Sequence, residues 1–192
     1  MKKILYFVSI AGLLLAGCHK IEKDTYLTFE KAISADFELL KAKATTGMPN
    51  FYEFECVLNG NISEMAPKDV KILTSKAVGS CGHTVYFFDT DFVTETRKED
   101  SASGSWFGSF TIPDPTAMAI SFSKAVEILF GQDKFAVPAS DKMTFRHPMG
   151  SFKNPLYIFG SNHSSYVAVD AMTGEVLQLD ANSSLGGSLE QE

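Results

Sequence analysis

The chain has 192 residues, 45% of them hydrophobic and 21% charged, with a formal net charge of −6. That composition excludes a disordered or collagen-like polymer and supports a buried core. No lysine- or arginine-rich patch offsets the acidic balance, so nucleic-acid binding is excluded as the main activity.

The first eighteen residues form one unit. Lys2 and Lys3 precede an apolar run from Ile4 to Leu15, and Leu15-Ala16-Gly17-Cys18 closes it. Twelve residues rise only about 18 Å as a helix, short of the roughly 30 Å core of a bilayer, so the run reads as an export leader rather than a transmembrane span. The Leu-Ala-Gly-Cys box resembles the bacterial lipoprotein signal. That resemblance implies that residues 1–17 are a signal peptide, that Cys18 is acylated, and that the mature protein is held on a membrane. By the same resemblance His19, in place of aspartate, implies the outer membrane of the cell envelope. Two or three acyl chains anchor stably where one does not. Loss of residues 1–17 removes two lysines and takes the formal charge to −8. Residues 18–25 read as a polar tether, and its first seven residues reach no further than about 25 Å.

From Thr28 the apolar residues Phe29, Ile33, Phe37, Leu40 and Ala44 recur at helical steps, and Gly47 with Pro49 stops the run. A strand over Asp36–Ala44 competes with this helix, since Phe37, Leu39 and Lys41 also alternate. Strands are expected over Phe51–Leu58, Val70–Ala77, Thr84–Asp89 and Ser105–Ile112, all rich in aromatic and β-branched residues. Asn59–Asn61 and Gly79–Gly82 carry turn chemistry, and Lys98–Gly104 reads as a polar loop. Gly104–Gly108 reads as a strand entering from that flexible loop.

After Pro113-Asp114-Pro115, the residues Phe122, Ala125, Val126, Leu129 and Phe130 fall on one helical stripe. Ser121 or Ser123 suits the N-cap, and Gly131 suits a left-handed C-terminal stop. Strands are then expected at Met143–Arg146, Leu156–Phe159, Ser165–Val169 and Glu175–Leu179, before a disordered tail over 181–192. The fold class is therefore α+β: antiparallel sheet packed by one helix per half, in two tandem units over 26–113 and 114–180.

Once Cys18 is committed to lipid, Cys56 and Cys81 remain. In an oxidising compartment they suit a disulfide closing a loop of about 25 residues, contributing on the order of 3 kcal/mol; two unpaired thiols are the alternative. Tyr166-Val167-Ala168-Val169-Asp170-Ala171-Met172-Thr173-Gly174-Glu175-Val176 reads as a β-hairpin. In it Asp170 binds turn amides and Gly174 takes positive φ. Propeller repeats also use Asp-x-x-Thr-Gly-x-Val, but a blade needs several copies to bury its faces and the chain has one. With Ser123-Lys124-Ala125-Val126 and Tyr157 upstream, the hairpin is similar to the PepSY family. That resemblance implies a non-catalytic module of exported proteins that binds or restrains peptidases. The tandem order is similar in architecture to the secreted β-lactamase inhibitor proteins, whose two units form one sheet.

Catalytic patterns are missing from the sequence. His83, His147 and His163 have no zinc-ligand spacing, and Asp89-Thr90-Asp91 lacks the glycine and glutamate of a calcium loop. No nucleophile elbow, P-loop or dinucleotide glycine pattern is present, and no cofactor is expected. The expected role is binding of a protein or peptide by a non-enzyme anchored to membrane through lipid. A hydrolase or glycan-binding surface lipoprotein is the competing class. A cleft of buried ionisable groups marks the enzyme, and an aromatic-lined sheet face marks the binder.

Overall fold

In the first helix, α1 (Phe29–Lys43), the buried side chains Phe29, Ala32, Ile33, Phe37 and Leu40 form one stripe, so helical spacing prevails over the competing alternation. Thr28 caps the helix, its hydroxyl accepting from the Lys31 amide at 3.4 Å. The structure is a computed structural model that describes residues 28–45, 47–160 and 166–179. The leader, Cys18, the tether, His163 and the expected tail lie outside the described residues.

Four strands follow α1: β1 (Asn50–Leu58), β2 (Ile72–Cys81), β3 (Thr84–Asp91) and β4 (Thr96–Ser103). A two-residue strand, β5 (Ser109–Phe110), leads to α2 (Phe122–Gly131). Then come β6 (Lys142–Pro148), β7 (Leu156–Phe159), β8 (Tyr166–Asp170) and β9 (Val176–Leu179). Among the described residues these nine strands make one antiparallel sheet in the order β4-β3-β2-β1-β6-β7-β8-β9, with β5 added to the end of β6. The protein is mixed α+β and mostly sheet.

Both helices lie on one face. Phe29 packs edge-on to Phe54 and Phe145, with centroids 5.2 and 5.6 Å away, and stacks on Phe122 of α2 at 4.9 Å. Phe122 continues the contact to Phe159 at 6.2 Å. One buried cluster therefore draws on α1, α2, β1, β6, β7 and β8, held by aromatic contact and area burial. Besides β8, α2 touches Pro67–Asp69, the second of two short 3₁₀ turns between β1 and β2.

Four expectations are corrected. Lys98–Gly104 is mostly strand, the outer part of β4, paired with β3 along its length; its Lys, Glu, Asp and Ser side chains suit a solvated edge and so carry no strand signature. The strand expected over Ser105–Ile112 shrinks to β5 and a bridge between Phe51 and Ile112. Gly79 to Cys81 lie inside β2, and the turn is Gly82-His83. Gly131 ends α2 inside the helix, and the chain leaves through an extended Gln132 whose side chain caps the Phe135 amide at 2.6 Å.

A fifth correction concerns the thiols. Cys56 and Cys81 are both free. Cys56 lies opposite Ser75 in the β1–β2 register, six residues short of Cys81. At about 3.3 Å per residue that is about 20 Å, far beyond the Cα separation a disulfide spans. Cys81 instead donates its thiol to the Leu40 carbonyl of α1 at 3.3 Å.

Gly79 sits under the end of α1. A Cβ there would run into the Leu40 side chain and stand 2.9 Å from the Asn50 carbonyl oxygen, which is backbone and cannot yield. Gly79→Ala is expected to cost about 1–3 kcal/mol by overpacking, read as a lower urea midpoint with an unchanged slope; an unchanged midpoint would contradict this packing.

Candidate binding face

Alternation sends every second side chain to the opposite face of the sheet, which no helix covers among the described residues. Along one row the registers align Lys98 with Asp89, Asp89 with Lys76, Lys76 with Glu55, and Glu55 with Thr144. Four strands thus present an exposed ladder of charges that alternate in sign. Opposite charges across strands favour this register. Among the described residues, no two of these four charges approach within ion-pair distance of each other. The ladder borders an open depression of about 670 Å³, whose lining also includes Asp91, Lys142 and Thr144.

The next row holds a buried pair. Glu53 and Arg146 are cross-strand partners of β1 and β6, 3.4 Å apart, with side chains 9% and 11% exposed. Burial pushes the Glu53 carboxyl up to about 7; Arg146 opposes that shift and neighbouring Glu55 adds to it.

Aromatic side chains cover the far end of β1–β3 on this face. Trp106 stacks on Tyr52 with centroids 6.4 Å apart and meets Phe87 edge-on at 6.2 Å. Its indole donates to the Ser109 hydroxyl at 3.2 Å, and that hydroxyl donates to the Tyr52 carbonyl at 3.1 Å. Lys76 lies 6.0 Å above the Phe87 ring. The segment before β5 is therefore held over the sheet by a fixed tryptophan.

A second polar cluster lies beneath α1. Asp36 is 1% exposed and accepts from Arg97 of β4 at 2.6 Å, while Arg97 Nε donates to the Thr90 hydroxyl at 3.0 Å. The other carboxyl oxygen, Oδ2, has no hydrogen-bond partner. Removal from water pushes the Asp36 pKa up to about 7, against the smaller opposing pull of Arg97. Burial, with Asp36 and Glu55 nearby, raises the Cys56 thiol well above its usual range, and burial raises Cys81. Both therefore stay protonated thiols.

The residues singled out from the sequence do not converge on one site. Cys56 and Cys81 face the helices and lie far apart, and Cys18 lies outside the described residues. Asp170 and Gly174 build the β8–β9 turn: the Asp170 carboxylate accepts from the Met172 and Thr173 amides at 2.8 and 2.9 Å, and Gly174 has φ +76°. Asn154 also donates to that carboxylate at 3.0 Å. Asp91 caps the β3–β4 turn through the Val93 and Thr94 amides, and the amides hold its pKa low. Among the described residues, no three His, Cys, Asp or Glu side chains gather as metal ligands. Sequence reading missed the charge ladder, because its four members lie on four strands and meet only through register. Trp106, expected within a strand, lies outside one and is held by Ser109 and Tyr52.

Comparison with known proteins finds no matching family, no similar curated protein and no similar solved structure. The PepSY and lipoprotein resemblances rest on the residues quoted for them.

Asp36 and Glu53 make stability depend on pH in a defined direction. Their unfolded carboxyls release protons near 3.8 and 4.5, their folded ones near about 7, so the fold holds extra protons between those values and loses stability as pH rises through them. Asp36→Asn and Glu53→Gln, which imitate the protonated acids, are each expected to match the wild type near about pH 4 and to exceed it in melting temperature near about pH 7.5. Variants that lose stability at the higher pH would contradict the assignment.

Proposed function

We propose that this chain is a lipid-anchored protein of the bacterial envelope that binds a protein or peptide on the open face of its sheet and has no catalytic activity. The carrying observation is the exposed ladder of Lys98, Asp89, Lys76 and Glu55 beside the Tyr52–Trp106–Phe87 group. Alternating fixed charges select a partner of complementary pattern, and aromatic anchors beside them supply apolar contact. The Trp106 ring is engaged by Tyr52 and Phe87 instead of lying flat to solvent, which favours a protein partner over a sugar.

Strand order supports the two-unit reading. The run α1 to β4 and the run α2 to β9 each place a helix before four strands, and the first strands of the two runs, β1 and β6, meet at the centre of the sheet. The units are 26–113 and 114–180, the second PepSY-like and suited to modulating a peptidase. The Leu15–Cys18 box supports acylation at Cys18 and an outer-membrane address.

Lys76→Glu with Lys98→Glu breaks the ladder at exposed positions that surface substitutions leave foldable. Cross-linking of the full chain in its native envelope is expected to trap a discrete protein partner that this double variant loses. Retention of nothing above background, or of the same set by wild type and variant, would overturn the reading.

A further inference from the structure

The exposed large hydrophobic side chains are not scattered. Phe107 is 77% exposed, Met48 69%, Phe110 44%, Met172 42% and Met149 40%. Strand direction puts all five at one end of the sheet. Met48 precedes β1, Met149 follows β6 and Met172 follows β8, and the register through Glu53, Arg146, Leu156 and Asp170 shows that these three strand ends lie side by side. Phe107 lies two residues before β5 and Phe110 is its second residue, and β5 pairs with the last residues of β6, Phe110 opposite His147. Val93, the other exposed large hydrophobic among the described residues, lies in the β3–β4 turn at the opposite end.

The loops that carry the aromatic tips are uncharged in an acidic chain. Neither 104–113 nor 147–152 contains Asp, Glu, Lys or Arg. Phe107 and Met48 project as tips rather than line a groove, so they suit a deformable apolar medium better than a protein surface with matching pockets. Glu30, in the first turn of α1, accepts from the Phe122 amide at 2.9 Å, and Ile120 donates to the carbonyl of Ala171, the neighbour of Met172, at 2.9 Å.

We propose that this rim, led by Phe107, Phe110 and Met149, dips into the interfacial layer of the bilayer and sets the orientation of the body on the membrane. The proposal rests on the lipid-anchor reading for its membrane but not for its contact. Absence of charge at the tips makes the contact independent of anionic lipid and of salt.

Trp106, the chain's only tryptophan, adjoins Phe107 where the aromatic end of the open face meets this rim, and so reports on its contact. The full chain is reconstituted with phosphatidylcholine vesicles whose acyl chains are or are not brominated, and flotation and tryptophan emission are both read. The expected result is flotation, with lower emission in brominated than in unbrominated vesicles, as insertion to about 5 Å brings. The Phe107→Ser/Phe110→Ser/Met149→Ser variant, and more weakly Phe107→Ser alone, is expected to float yet keep its emission. Flotation of the wild type without quenching overturns the rim contact and leaves the anchor standing; neither flotation nor quenching overturns both. Equal quenching of wild type and triple variant overturns the assignment to these side chains. An unquenched wild type that cross-links to a protein through this rim, with the link lost in the variant, reassigns the tips to a protein partner.

Discussion

The pairing of β1 with β6 is the constraint on which the rest depends. On one face it sets Phe54 against Phe145 beneath Phe29, and on the other it sets Glu53 against Arg146. A slip of one residue would turn Phe145 to the open face and Arg146 into the aromatic core. Separating the two would leave the Arg146 guanidinium buried away from its acceptor, and breaking a buried pair in this way costs about 3–5 kcal/mol. Apolar packing and charge therefore specify one register from opposite sides of the same two strands. Through that register the β1–β4 run and the β6–β9 run become one surface.

Asp36 and Arg97 act at the outer edge of that surface. β4 buries none of its side chains, so area burial alone gives it little reason to join the sheet. Arg97 reaches inward to a carboxylate on α1, and Lys43 at the end of α1 pairs with Glu99 at 2.5 Å. Two polar links thus tie the edge strand to the helix beneath it. A stabilising apolar pair in their place would leave no titratable group under α1, whereas the present arrangement makes the attachment depend on pH.

How much of this was legible from sequence follows from where the information resides. α1, α2 and the β8–β9 hairpin are specified locally, by a stripe of Phe and Ile, a Ser121 cap, and Asp170 with Gly174, and could be read directly. β4 could not, because a solvated edge strand lacks hydrophobic alternation and resembles a loop. The thiols misled for a related reason: Cys56 and Cys81 both lie in strands, but only the β1–β2 register shows them six residues apart. The ladder was hidden as well, since Lys98, Asp89, Lys76 and Glu55 are ordinary charges until four strands align. The apolar rim likewise emerges only once strand directions are known, when Met48, Met149 and Met172, distant in sequence, share one end of the sheet.

Amide hydrogen exchange tests the central pairing most directly. If β1 and β6 join both runs into one cooperative sheet, their amides are among the slowest to exchange, and strands on either side open with the same free energy. Loss of protection across β6–β9 at a lower free energy, while β1–β4 stays closed, would contradict that account and leave two sheets that merely touch.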